Sequence, residues 1–206
     1  MTSGKLTAID LFAGSGGLSL GLRQAGFNVA AAVEIDPVAS ETYRKNHPNT
    51  KLLTDDVQNV DPKALAGTIP KNRLHLLAGC APCQGFCSLT AKWARQDPRN
   101  RLVLQMARFV EELQPDAIFM ENVRGLATRG KELVQELAER LRKAGYYAET
   151  RIVQMADFGV PQNRRRLVLL AGNGFMIPFP TQSHARDPEP GSGLKHWVTV
   201  RDAIYG

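Results

Sequence analysis

Apolar runs of strand length alternate along this chain with segments whose apolar residues recur at helical spacing, and few folds accept that order. Residues 6–12, 27–33, 52–53, 73–78 and 116–120 are strand-like. Between them the pattern predicts a helix stopped by Gly26, a helix opened by Pro37, a helix with Asp61 as cap and Pro62 in its first turn, and a helix over 102–113. An amphipathic helix over 131–143 follows, closed by Gly145. This alternation calls for an α/β fold: a doubly wound, mostly parallel sheet with helices on both faces. The last two strands, 146–155 and 167–171, are joined by a link too short for a crossover helix, so they should form an antiparallel pair at one edge. Ligands of such sheets bind beyond the carboxyl ends of the strands. Phe12, Glu34, Asp56, Gly79 and Glu121 all fall at or just after a predicted strand end. From Asn173 the pattern dissolves into Pro- and Gly-rich chain, with one more helix beginning near 199. The expected division is a folded unit over 1–172 and an irregular segment over 173–206.

Net charge and cysteine usage narrow the class. A net charge of +6 and a pI near 9.4 suit a polyanionic partner without requiring one. Three cysteines, Cys80, Cys83 and Cys87, lie within eight residues. An odd, clustered set with no signal-peptide pattern upstream argues against a disulfide framework. Their spacing raises a metal reading, but no fourth ligand is at hand beyond His75 in an apolar run, so no metal is expected. No apolar run approaches a membrane-spanning length, and a cytoplasmic location is the default expectation.

Several stretches can carry chemistry. Phe12-Ala13-Gly14-Ser15-Gly16-Gly17 is a glycine-rich turn opening a helix, where backbone N–H groups can meet an anion. Ser19 stands where a dinucleotide fingerprint needs glycine, so a smaller nucleoside ligand fits better. Glu34, 20 residues after Gly14, stands where an acidic side chain accepts hydrogen bonds from ribose hydroxyls. In Pro82-Cys83-Gln84, Cys83 fits both a nucleophile at the ligand edge and an inert thiol; Cys80 and Cys87 read as core residues. Glu121, in Glu121-Asn122-Val123, can hydrogen-bond or protonate a ring nitrogen. In Gln162-Asn163-Arg164-Arg165-Arg166, strand alternation directs Arg164 and Arg166 one way and Arg165 the other. The loop 88–101 carries Lys92, Trp93, Arg95, Arg99 and Arg101, which suits either a lid over phosphates or plain surface.

These motifs, in this order and spacing, resemble the cytosine-5 DNA methyltransferases, and the resemblance covers about residues 6–172. It implies the methyltransferase (Rossmann-like) variant of the doubly wound sheet. It also implies methyl transfer from S-adenosylmethionine to C5 of a cytosine flipped out of double-stranded DNA. By the resemblance, residues 1–172 are the cofactor-binding catalytic domain. Cys83 adds to cytosine C6, Glu121 engages N3 and the exocyclic amine, and Arg164 and Arg166 steady the ring. Phe12, Gly14, Gly16, Glu34, Asp56 and Pro82 form the cofactor shell. Cys80 and Ala81 stand where many relatives have glycine or proline. The family's target-recognition region and closing helix do not fit in the 34 residues after Gly172. Target recognition is therefore expected from a second polypeptide, as in split members of the family, or the chain is a truncated form. A tRNA cytosine methyltransferase built on the same motifs, and a non-catalytic cofactor- or DNA-binding fragment, are the other readings.

Overall fold

The computed structural model describes residues 6–69, 73–82 and 97–205. Its main sheet has seven strands: β1 (Thr7–Leu11), β2 (Asn28–Val33), β3 (Lys51–Leu53), β4 (Leu76–Gly79), β5 (Ala117–Val123), β6 (Tyr146–Gln154) and β7 (Arg165–Asn173). Their spatial order is β3-β2-β1-β4-β5-β7-β6. The first five run parallel, and β7 is antiparallel to both β5 and β6. The strand order reverses between β1 and β4, which opens a crevice at their carboxyl ends.

The helices are α1 (Gly17–Gln24), α2 (Pro37–Asn46), α3 (Pro62–Ala66), α4 (Gln105–Leu113), α5 (Arg124–Arg129) and α6 (Lys131–Lys143). Alternation along the central strands divides the core in two. Ile9, Leu11, Leu77, Ile118 and Met120 face one layer, built with α3 to α6. Ala8, Leu76 and Ala78 face the other, where Leu22 of α1 packs, and Ala32 meets Tyr43 of α2 there. A register shift between Ala8 and Ile9 of β1 lets β2 serve both layers, with Val29 on one and Ala31 and Val33 on the other. Asp36 caps α2 by accepting from the Ala39 N–H at 2.7 Å, and Asp61 caps α3 by accepting from the Lys63 N–H at 3.0 Å.

Three expectations need correction. β5 runs on through Glu121, Asn122 and Val123 instead of ending at Met120, because β7 pairs with it as far as Val123 opposite Arg166. The helix expected over 102–113 begins as a 3-10 helix, Pro98–Leu104, before α4. Beyond Asn173 the chain is less irregular than expected. β8 (His184–Ala185) and β9 (Lys195–His196) pair in parallel, and α7 (Val200–Tyr205) follows. The Trp197 indole N–H donates to Asp157 at 2.9 Å, which docks this segment on the turn between β6 and β7. No helix among the described residues is long and apolar enough to cross a membrane.

The turn after β1 is locked from beneath. Gly16 has φ 96°, and a Cβ there would lie 2.3 Å from the buried His47 ring. Gly16→Ala is expected to lower the free energy of unfolding by about 2–4 kcal/mol, from left-handed strain plus overpacking. Gly67→Ala, at a helical φ with open space around it, should change stability by less than about 1 kcal/mol in the same urea titration.

Candidate functional site

The carboxyl ends of β1, β2 and β4 and the turn after β3 enclose a cleft of about 570 Å³, within the range of small-ligand sites. Phe12, Glu34, Asp56, Cys80, Pro82 and Leu102 are among its walls. Phe12 leaves β1 with φ 60°, an unusual conformation for a bulky residue and of the kind found at functional sites. Glu34 braces two turns at once. One carboxylate oxygen accepts from the Gly14 N–H and the other from the Asp36 N–H, both at 2.7 Å. A carboxylate offers about four lone-pair sites, so these two bonds leave capacity for ligand hydroxyls. Gly14 has φ 56°, and a Cβ there would meet nothing within 4 Å, so its surroundings leave room for a ligand.

Asp56 accepts from the Gln58 N–H at 2.9 Å, which shapes its turn. Arg108 of α4 anchors that turn from below by donating to the carbonyls of Val57 and Val60 at 2.5 and 3.0 Å. Gly14 and Gly16 lie in the turn beside the cleft and not among its walls, and Gly16 faces away from the open space around Gly14. The Gly16 carbonyl meets His47 Nε2 at 3.0 Å, so Gly16 serves the packing beneath the turn.

Beside the cleft, β5 and β7 bring a second group together. Arg166 Nε lies 2.5 Å from Glu121, with both side chains mostly buried. Burial raises the Glu121 pKa, while a hydrogen bond from Cys80 and the charge of Arg164 pull it back down. Arg164 is exposed and precedes β7, and its carbonyl accepts from the Met155 N–H, so Arg166 alone of the two arginines pairs with Glu121 among the described contacts. Asn122 is buried and donates to the Ala81 carbonyl at 3.0 Å, fixing the chain just before Pro82. Cys83 and Cys87, and Lys92, Trp93 and Arg95 of the basic loop, lie outside the described residues. Arg99 and Arg101 are described, and both pair with carboxylates, Asp97 at 2.6 Å and Glu136 at 3.3 Å.

Cys80 is not the inert core thiol that the sequence suggested. It walls the cleft, and the pairing of Gly79 with Met120 sets it beside Glu121. Asn122 and Arg108 also went unassigned from sequence. The first lay inside a motif whose glutamate drew attention; the second, a lone arginine among the apolar residues of α4, was the available signal.

Under the cleft, Asp10 is fully buried on β1. Ser19 donates to its carboxylate at 2.7 Å, and the Ser19 and Tyr43 hydroxyls lie 2.7 Å apart. Its second oxygen has no hydrogen-bond partner. Burial raises its pKa to about 7, with the Ser19 bond opposing.

Residues 6–190 match the family of C-5 cytosine-specific DNA methylases. The Type II methyltransferase M.XorII of Xanthomonas oryzae is 42% identical over 202 residues, covering 95% of this chain and 45% of its own length. M1.HphI of Haemophilus parahaemolyticus is 38% identical, covering 93% of this chain and 53% of its own. M.AquIA of Picosynechococcus is 35% identical, covering 95% of this chain and 86% of its own. The chain thus spans about half the length of the first two relatives and most of the third. A solved structure of a prophage-encoded DNA modification methyltransferase from E. coli superposes with a TM-score of 0.78 at 30% identity, covering 98% of this chain and 55% of that one. Spodoptera frugiperda DNMT2, at 24% identity and a TM-score of 0.68, shares the fold.

Asp10 makes stability depend on pH. Its folded pKa lies above its ordinary value of 3.8, so between these values the folded state holds a proton that the unfolded state has released. Its contribution to stability is therefore fully present below about pH 4 and is lost as pH approaches 7. Asp10→Asn is expected to remove this slope, a difference on the order of a few kcal/mol by pH 8, measured by urea unfolding of both proteins across pH 4–8.

Proposed function

Because the chain belongs to the family of C-5 cytosine-specific DNA methylases, we propose that it carries the cofactor-binding and catalytic part of a DNA cytosine-5 methyltransferase. The observation that supports this best is the adjacency of the two halves. A nucleoside-sized cleft is walled by Cys80 at the end of β4, and the neighbouring strand β5 presents Glu121 paired with Arg166 of β7. The residues fit S-adenosylmethionine. Glu34 retains lone pairs for ribose hydroxyls, Asp56 offers a carboxylate for the adenine amine, Phe12 and Pro82 give apolar walls, and the Gly14 turn leaves space for the methionine end. When bound there, S-adenosylmethionine supplies the electrophilic methyl group for C5 of cytosine.

The chain's own residues do the rest. The Cys83 thiolate adds to C6 of a flipped cytosine, forming an S–C6 bond and pushing electron density to C5. Glu121 holds N3 and the exocyclic amine. Burial raises its pKa, which favours the protonated form that can give N3 a hydrogen bond or a proton. Arg166 fixes the Glu121 carboxyl, and Arg164 adds positive charge at the same edge. Loss of the C5 proton to a base and departure of Cys83 restore the aromatic ring. Asn122 holds the backbone before Pro82 in place for this attack.

Residues 1–172 are read as this catalytic unit and 173–206 as a lead toward the target-reading part. Relatives of about twice this length support a target-reading part outside the described residues, on a continuing polypeptide or a second one. The partner is double-stranded DNA, and the place of action is the cytoplasm.

Calorimetry should detect S-adenosylmethionine binding, with Glu34→Ala weakening it about tenfold to a hundredfold. In the protein completed by its target-reading part, Cys83→Ala should abolish methylation of DNA, and Glu121→Gln should slow it about a hundredfold or more. A Cys83→Ala protein that methylates at the native rate, or faster methylation of tRNA than of DNA, contradicts the proposal.

A further inference from the structure

Cys80 has a neighbour set by strand register. Gly79 of β4 pairs with Met120 of β5 in a parallel ladder, so the next residues along, Cys80 and Glu121, lie side by side at the carboxyl edge. Parallel neighbours at one level project to the same face of the sheet. The ladder thus sets the Cys80 thiol beside the Glu121 carboxyl, near enough to affect its protonation, and Arg166 holds that carboxyl at 2.5 Å. The Cys80 N–H is tied to the Leu11 carbonyl at 3.3 Å, so the donor is mounted on the β1–β4 seam. Burial and the nearby Glu121 charge hold the thiol pKa well above its ordinary value. Cys80 is therefore protonated at neutral pH, a donor and not a thiolate nucleophile.

We propose that Cys80 is a positioning residue for Glu121: its thiol and the Arg166 guanidinium together fix the orientation of the carboxyl that meets the cytosine ring. The proposal rests on the reading of Glu121 as the residue that engages that ring. It assigns a chemical reason to a cysteine at the residue that joins the cleft to the base-side group.

Infrared spectroscopy of the full chain tests the bond without any turnover. The S–H stretching band of Cys80, identified by its loss in Cys80→Ser, should lie below that of a free thiol and move up in the near-isosteric Glu121→Gln. Kinetics of the protein completed by its target-reading part test the role. Cys80→Ala should lower kcat/KM about three- to tenfold, the effect of one ordinary hydrogen bond, since a thiol is a weak donor. Losing a bond that favours the charged carboxylate raises the Glu121 pKa, so the alkaline limb of the pH profile should shift to higher pH. Cys80→Ser, which keeps a donor, should restore rate and limb toward native. An S–H band unmoved by Glu121→Gln, or an unchanged pH profile in Cys80→Ala, overturns the proposal. Full activity in Glu121→Gln with the band shifted would instead overturn the assignment of Glu121 to the ring and leave the hydrogen bond standing.

Discussion

The Glu34 carboxylate ties the turn after β1 to the turn after β2, and the shape of the cleft depends on it. Each oxygen accepts one backbone N–H, from Gly14 and from Asp36. The Asp36 side chain in turn caps α2, so one anion sets the position of the glycine-rich turn and the entry of the second helix. Hydrogen bonds to a charged acceptor are about twice as strong as neutral ones, and the one from Gly14 joins residues 20 positions apart in sequence. Glu34 also lines the cleft and keeps acceptor capacity, so the group that organises the site is equipped to hold a ligand.

The layer beneath is polar and buried, which is costly unless its groups are paired. Asp10, Ser19 and Tyr43 form one chain of hydrogen bonds; His47 stacks against Tyr43 and meets the Gly16 carbonyl. The network joins β1, α1 and the end of α2 directly under the turn. On the other side of the crevice, Asn122 holds the chain before Pro82, and the Glu121–Arg166 pair closes the edge between β5 and β7. The site is thus set by strand ends and by side chains reaching between them, and its parts are neighbours because β1, β4 and β5 are adjacent in the sheet.

Much of this was legible in the sequence. Alternating strand and helix patterns, Asp-Pro starts and glycine stops place the elements to within a few residues, and the short link after β6 gives the antiparallel pair. What escaped was tertiary in origin. β5 looked finished at Met120 because Glu121 and Asn122 are polar, yet pairing with β7 and the Ala81 carbonyl satisfy them. α5 went unexpected because Gly125 weakens its local propensity, and burial of Leu126 supplies what propensity lacks. Cys80 read as core because sequence carries no register between strands; the β4–β5 ladder puts it beside Glu121.

The central claim is that the strand ends around Phe12, Glu34 and Asp56 form a nucleoside cofactor site. Amide chemical-shift mapping during titration with S-adenosylhomocysteine tests it most directly. The account predicts saturable shifts centred on the amides of Phe12, Gly14, Glu34 and Asp56. Shifts centred on the separate cleft beside Tyr147 and Met176, with those four amides unmoved, would contradict it.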